Sequence, residues 1–315
     1  MAAPIVVVLE SIHRAGIDRL AALCTVVQLT GPGDPQLADA LARADALIVR
    51  STRVTAEMIA AAPNLRVIGR HGAGTDNIDL DAATSRGVTV VNTPRSNTES
   101  VAEYVITVAL MMLKRIDEVS SALRSGEFTA ENGSLPGQVD RAGLVGREAA
   151  GARIGLVGAG AIGRAVASRA QALGMTVIAY DPFVAPETLA LGIEFAADLD
   201  TLLASVDIVS LHVPGGSGPL ITAEKLALMQ SGSLLINAAR GELVDADALA
   251  EALRSGQLAG AAVDVFDPEP PTVDSTLFAA PHLITTPHMA AMTREALVRM
   301  SADVAAGVLA ALDKA

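Results

Sequence analysis

An α/β fold with two parallel sheets is predicted by three features of this 315-residue sequence. Short apolar runs alternate with helical patterns from Ile5 onward, a series that builds parallel sheets with helices on their faces. A Gly-x-Gly-x-x-Gly string, Gly158 to Gly163, sits at mid-chain directly after one such run. The last helical pattern, over 293–312, has no strand behind it.

Strands are expected over 5–9, 26–29, 46–49, 67–70 and 89–91, with helices near 15–23, 34–42, 55–61 and 79–86. A long apolar helix follows over 101–115. Thr98 or Ser100 can cap it, and Glu99 and Glu103 suit its positive first turn. Its apolar residues are too many for one face, which predicts burial on all sides and a homodimer contact near it. From 126 to 151 the pattern is lost, and a surface loop with a short helix or turn is expected. Alternation resumes with strands over 153–157, 175–180, 208–212, 233–237, 260–264 and 283–286. The closing helix cannot extend that second sheet. It is therefore assigned to the first domain, making it discontinuous: 1–97 plus 290–315, around an inserted domain over 98–289. A cleft between the two is expected to hold the ligands.

Composition narrows the function. Hydrophobic residues make up 51% and charged residues 18%, which is globular, and with 2% aromatics the cores must be Ala, Val, Leu and Ile. A net charge of −12 argues against a nucleic-acid partner, because phosphate binding needs a basic face. The lone Cys24 excludes an internal disulfide framework, and no metal site is expected. The apolar start at Ile5 lacks a basic leader and is interrupted by Glu10 and His13, so it reads as a strand rather than a secretion signal. No apolar stretch approaches the ~20 residues needed to span a bilayer. A cytoplasmic location with no membrane partner is the expectation.

The glycine string is the strongest chemical signal. A strand before it, a helix over 164–173 and an acid at the next strand end together make a dinucleotide-binding unit of Rossmann type. Gly158 serves the tight turn, Gly160 the close approach of a pyrophosphate, and Gly163 the packing of the helix. The phosphates face the helix N-terminus. Asp181 lies at about the ~20-residue interval expected for the acid that bonds the ribose diol. A carboxylate there repels a 2′-phosphate, so NAD is favoured over NADP.

Three further residues stand just past strand ends: Arg240, Glu269 and His288. Ligands of open α/β sheets bind outside the carboxyl ends of the strands, so the three can converge. They suit alcohol oxidation by hydride transfer. An imidazole takes the hydroxyl proton, a carboxylate holds its tautomer, and a guanidinium grips a substrate carboxylate. His212 also ends a strand, but with no paired acid evident it reads as a cofactor-edge or structural residue. His71 reads as an exposed loop histidine or an aid to anion binding, and His13 and His282 as structural or surface residues. Arg50 and Arg70, at strand ends of the first domain, read either as surface charges or, if they face the cleft, as favouring a substrate with a second anionic group.

These stretches resemble the D-isomer-specific 2-hydroxyacid dehydrogenase family over nearly the whole chain. The matching residues are Val49-Arg50-Ser51-Thr52, Gly69 to Asp79, Asn92-Thr93-Pro94, Ser100 to Glu103, the glycine string, Asn237 to Gly241, Val244-Asp245, Asp264-Val265-Phe266, Glu269-Pro270 and Thr286-Pro287-His288. The resemblance implies two Rossmann-like domains, the first flavodoxin-like, and a catalytic set of Arg240, Glu269 and His288. It implies a substrate carboxylate held by amides around Ala73 and Gly74, with Arg50, Ser51, Arg70, Arg240 and His288 also at the substrate. Cofactor contacts are implied at Gly158, Gly160, Ala161, Ile162, Gly163, Asp181, His212, Ala238, Ala239, Arg240, Asp264, His288 and Ala290. The first domain is most similar to the 3-phosphoglycerate dehydrogenase branch. Two departures bear on the pocket: Met289-Ala290-Ala291-Met292 replaces the small or Trp-containing pairs common after the histidine, and Ala161 stands where Arg is frequent.

Several readings stay open at this point. The substrate can be a 3-phosphoglycerate-like acid, glyoxylate, hydroxypyruvate or a sulfonated acid. An NAD-sensing scaffold of corepressor type shares the architecture and the Arg–Glu–His set. A formate dehydrogenase would carry Gln in place of Glu269. The partners expected are a small anionic 2-hydroxy or 2-oxo acid and a second copy of the chain, joined through the cofactor-binding domain.

Overall fold

In the computed structural model, which describes residues 3–188, 192–216 and 218–313, the chain forms two compact units. One runs to Ser100 and resumes at Ala291; the other is Val101–Ala290.

The first unit alternates β1 (Ile5–Val8), α1 (Arg14–Ala21), β2 (Thr25–Gln28), α2 (Leu37–Arg43), β3 (Ala46–Val49), α3 (Ala56–Ala60), β4 (Val67–Arg70), α4 (Leu80–Ser85) and β5 (Thr89–Val91). Its described strands are all parallel, in the order β2-β1-β3-β4-β5. This is the flavodoxin-like order. Side chains alternate across the sheet, so Val7, Leu47 and Ile68 build one apolar layer, while Val6, Val8, Ile48 and Val67 build the other. Thr55 and Asp79 cap α3 and α4 by accepting the N–H of Met58 and Ala82.

The second unit begins within the long helix α5 (Thr98–Leu113), followed by α6 (Ile116–Ser125) and α7 (Leu135–Arg141). It then alternates β6 (Arg153–Val157), α8 (Ala161–Ala172), β7 (Thr176–Tyr180), β8 (Ile193–Phe195), α9 (Leu199–Ser205), β9 (Ile208–Leu211), α10 (Ala223–Leu228), β10 (Ser233–Asn237), α11 (Ala246–Arg254), β11 (Leu258–Val263) and β12 (Leu283–Thr285). The described strands are parallel in the order β12-β11-β10-β9-β6-β7-β8. Strand order reverses between β6 and β9, and the glycine string leaves β6 at that point.

The closing helix, α12 (Arg294–Leu312), packs on α1 and across β3, β4 and β5 of the first unit. Val304 and Val308 lie so close to Gly69 that a Cβ there would sit 2.9 and 2.6 Å from their methyl groups.

Local structure departs from the sequence reading at the start of α5. α5 starts at Thr98, so neither Thr98 nor Ser100 stands at the cap; the Thr98 hydroxyl lies inside the first turn, buried with no hydrogen-bond partner. Within its unit the helix turns Ala102, Val105, Val108 and Ala109 to the core, while Ile106, Leu110 and Met111 are half-buried. The stretch after it is helical too, because Arg115 takes a left-handed turn (φ 52°) that restarts the chain as α6, ended by Gly126 (φ 80°).

Candidate active site

Arg240, Glu269 and His288 leave the sheet beyond β10, β11 and β12, which are parallel neighbours. The organising side chain at this edge is Asp264, directly after β11 and fully buried. Its Oδ1 accepts the Thr286 hydroxyl at 2.6 Å and the Met289 N–H at 2.7 Å, and its Oδ2 the Ala290 N–H at 2.8 Å. Its carbonyl accepts the His288 N–H at 2.7 Å. Thr286 gives its proton to Asp264, so the Tyr104 hydroxyl, 2.7 Å away, is the donor to Thr286. A buried carboxyl group is tolerated when its oxygens are bonded in this way.

This clamp holds His288 at φ 53°, a left-handed conformation that costs a non-glycine residue roughly 1 kcal/mol. The ring lies half-exposed with Nδ1 2.6 Å from Glu269 Oε1. A carboxylate oxygen accepts, so Nδ1 carries the proton in the neutral ring and Nε2 is free to take one. Arg240 sits in a turn held by Asn237, whose Nδ2 donates to the Arg240 carbonyl at 2.8 Å and whose Oδ1 accepts the Ala239 N–H at 3.1 Å. Ala238 and Ala239 are half-buried in that turn. The bracing roles of Asn237, Tyr104 and Thr286 were not part of the sequence reading. Asn237, a side chain able to bond its own turn, was the one with a local signal.

The glycine loop fits a dinucleotide. Gly158 has φ 103°, and a Cβ on Gly163 would lie 2.2 Å from the Gly158 carbonyl oxygen. Space around Gly160, the N-cap of α8, is open, and Ala161 and Ile162 follow in the first turn, whose N–H groups have no acceptor within the helix. Asp181 faces the loop: Oδ2 accepts the Ala159 N–H and Oδ1 the Phe183 N–H, each at 2.9 Å.

His212 lies beneath this loop rather than beside an acid. Its Nε2 is shut off from solvent without a partner, its ring faces Gly163, and burial pulls its pKa down to about 4, so it stays uncharged.

In the first unit, Arg70 ends β4, and Arg50, Ser51, Ala73 and Gly74 lie in the loops after β3 and β4. Among the described residues, the amides of Ala73 and Gly74 donate to no protein acceptor, while the Ala73 carbonyl is held by Asn92 Nδ2 at 2.6 Å. Arg70 Nη1 donates to the His71 carbonyl at 2.8 Å. Ser51 is differently engaged: both its N–H and its hydroxyl go to Glu10. His71 is not an exposed loop residue. It is 2% exposed, with Nε2 2.9 Å from the Ser301 hydroxyl, and burial, aided by the charge of Arg50, lowers its pKa to about 4. His13 accepts the Ala15 N–H at the start of α1, and His282 pairs with Glu118 at 3.0 Å.

No helix is long and apolar enough to cross a membrane, among the described residues. Residues 106–290 match the family model for the NAD-binding domain of D-isomer-specific 2-hydroxyacid dehydrogenases. The chain is 43% identical to the D-3-phosphoglycerate dehydrogenase of Mycobacterium leprae over 98% of its own length, and it spans 57% of that relative. It is 48% identical to the (S)-sulfolactate dehydrogenase of Chromohalobacter salexigens over 81% of each chain. Among solved structures, the TT0316 protein of Thermus thermophilus superposes with a TM-score of 0.87 at 35% identity, covering 98% of this chain and 97% of the other.

Proposed function

The chain belongs to the D-isomer-specific 2-hydroxyacid dehydrogenase family, and from that premise we propose that it interconverts a D-2-hydroxy acid and its 2-oxo acid with NAD. The observation that carries this reading is the bonded pair of His288 Nδ1 and Glu269 Oε1 at the strand edge that Arg240 shares.

The chemistry that bound NAD would supply is hydride exchange at C2 of the substrate. His288 does the proton work at Nε2: it takes the hydroxyl proton during oxidation and returns one to the carbonyl oxygen during reduction. Glu269 keeps the ring in the tautomer this requires and steadies the imidazolium form. Arg240 grips the substrate carboxylate with its planar fork and polarises the carbonyl. The amides of Ala73 and Gly74 are the carboxylate donors that the first unit offers. On the cofactor side, Gly158, Gly160, Ala161, Ile162 and Gly163 cradle the pyrophosphate and Asp181 takes the ribose diol. His212, Ala238, Ala239, Asp264 and Ala290 shape the remainder of the cofactor seat. Arg50 and Arg70 direct the preference toward substrates with a second anionic group, as in a 3-phosphoglycerate-like acid, and the two named relatives act on acids of that kind.

The enzyme works in the cytoplasm as a homodimer, joined through the cofactor-binding unit. Exposed apolar side chains at Ile116, Leu123, Leu135 and Val145 support that contact. A panel of phosphorylated, sulfonated and unsubstituted 2-oxo acids with NADH, followed by the nicotinamide absorbance, tests the reaction. NADH oxidation by one or more of them is expected; a chain that binds NAD and reduces none is a cofactor-sensing scaffold instead.

A further inference from the structure

The first unit has its own topological switch point, between β1 and β3, where the strand order reverses. In an open parallel sheet this crevice, at the carboxyl ends of the strands, is where a ligand seats. Here the chain places its own anion there. Glu10, shortly past β1, accepts the N–H groups of Arg50 at 2.7 Å, Ser51 at 3.0 Å and Thr52 at 3.1 Å, and also the Ser51 hydroxyl. Three successive amides around one carboxylate make an anion nest. Burial works to raise the Glu10 pKa, but the bonds from Ser51, Arg50 and Thr52 outweigh it and hold the group below the usual range. Glu10 is therefore charged at neutral pH. The turn is braced from its far side by Asn77 Nδ2, which donates to the Thr52 carbonyl at 2.8 Å.

The nest takes up the backbone N–H groups of Arg50, Ser51 and Thr52 and leaves the Arg50 side chain over. The Arg50 guanidinium bonds no carboxylate among the described residues; its Nη2 rests against the Met292 sulfur at 2.5 Å, a soft and weak acceptor. Glu10 thus fixes the backbone of Arg50 without neutralising its side chain.

We propose that Glu10 is a positioning residue that presents the Arg50 guanidinium to the distal anionic group of the substrate, and so sets the preference for 2-oxo acids bearing a phosphate or sulfonate at C3. This rests on the reaction proposed above. The sign of the effect separates positioning from simple field effects. Removing a negative charge near an anion site should by Coulomb's law tighten a doubly anionic substrate. Removing the nest that holds Arg50 should loosen it.

The test uses the full chain with Glu10→Gln, which keeps the shape and loses the charge, and Glu10→Asp, which keeps the charge at shorter reach. Michaelis constants are measured with NADH for 3-phosphohydroxypyruvate, sulfopyruvate and hydroxypyruvate. For Glu10→Gln, KM for the two doubly anionic acids should rise by about tenfold, as expected for lost charged hydrogen bonds. The ratio of kcat/KM between phosphorylated and unsubstituted acids should fall by a similar factor, with kcat moving less than KM. Glu10→Asp should recover part of the ratio. An equal loss on all three acids, or a lower KM for the phosphorylated one, overturns the proposal. If the wild-type chain reduces none of the acids, the reaction reading has failed, and amide hydrogen exchange decides the positioning separately. Exchange at Arg50, Ser51 and Thr52 should quicken by about tenfold in Glu10→Gln while β3 keeps its protection. Unchanged exchange there overturns it.

Discussion

Glu269 Oε1 lies 2.6 Å from His288 Nδ1, so the imidazole nitrogen left for proton transfer is Nε2. Two residues bonded in this way act as a unit, and their losses should not add. His288→Ala is expected to lower kcat by the ~10²–10⁴-fold typical of a missing general base, with NADH binding retained. Glu269→Gln alone should cost less, and the double variant should be little worse than His288→Ala. Steady-state kinetics on all three variants, with NADH titration by fluorescence, make the check; additive losses would separate the two residues.

Arg240→Lys should raise KM for the 2-oxo acid by about tenfold or more, with a further loss in kcat, because a point charge cannot reproduce a planar fork. The Asn237 bonds to the turn do not involve the guanidinium, so the fold is expected to stay intact, as judged by an unchanged melting curve.

Asp181 ties the Ala159 N–H of the glycine loop, and its proposed second task is to bond the ribose diol. Asp181→Ala should therefore weaken NAD by about tenfold and narrow the NAD over NADP preference, since attraction to the diol and repulsion of a phosphate are lost together. Equal use of both cofactors by the wild-type chain would remove this role.

His71 sets a pH limit on stability. Its folded pKa, about 4, lies below the ordinary 6.5, so below pH 6.5 the unfolded chain takes up a proton that the folded one refuses. Stability is full above that pH and drains away as pH falls toward 4, by up to ~3 kcal/mol for this one group. Urea denaturation of the wild type and of His71→Gln between pH 7.5 and 4.5 measures it. The stability gap between them should shrink as pH falls; parallel curves would contradict the burial of an uncharged ring.

Leu123 and Leu135 are each 51% exposed on α6 and α7. If they meet a second copy of the chain, Leu123→Glu with Leu135→Glu should convert a dimer to a monomer at micromolar concentration. Sedimentation velocity reads this directly, and a wild-type monomer would end the dimer proposal.

The strands and most helices were legible because the central parallel strands are buried on both faces and read as unbroken apolar runs, as at Leu234 to Ile236. Less legible were elements with little to bury. β8 is three residues long at the sheet edge with Glu194 in its centre, and α6 carries six polar residues to four apolar ones. At the site, Arg240, Glu269 and His288 could be named from their places beyond strand ends, and Asp181 from its interval. Glu10 could not. Its partners stand some forty residues away in sequence, and a carboxylate in a loop looks the same whether water or three amides surround it. His71 was misjudged for the same reason, since only the packing of α12 brings Ser301 to its ring.

That packing has a consequence for how the chain is made. The cofactor-binding unit is one uninterrupted stretch and can collapse as soon as it has left the ribosome. The other unit, though its sheet is translated first, must wait some two hundred residues for Val304 and Val308 to cover one side of β4. Until then Val6, Val8, Ile48 and Val67 form an open apolar wall on the nascent chain, the surface a chaperone would find first.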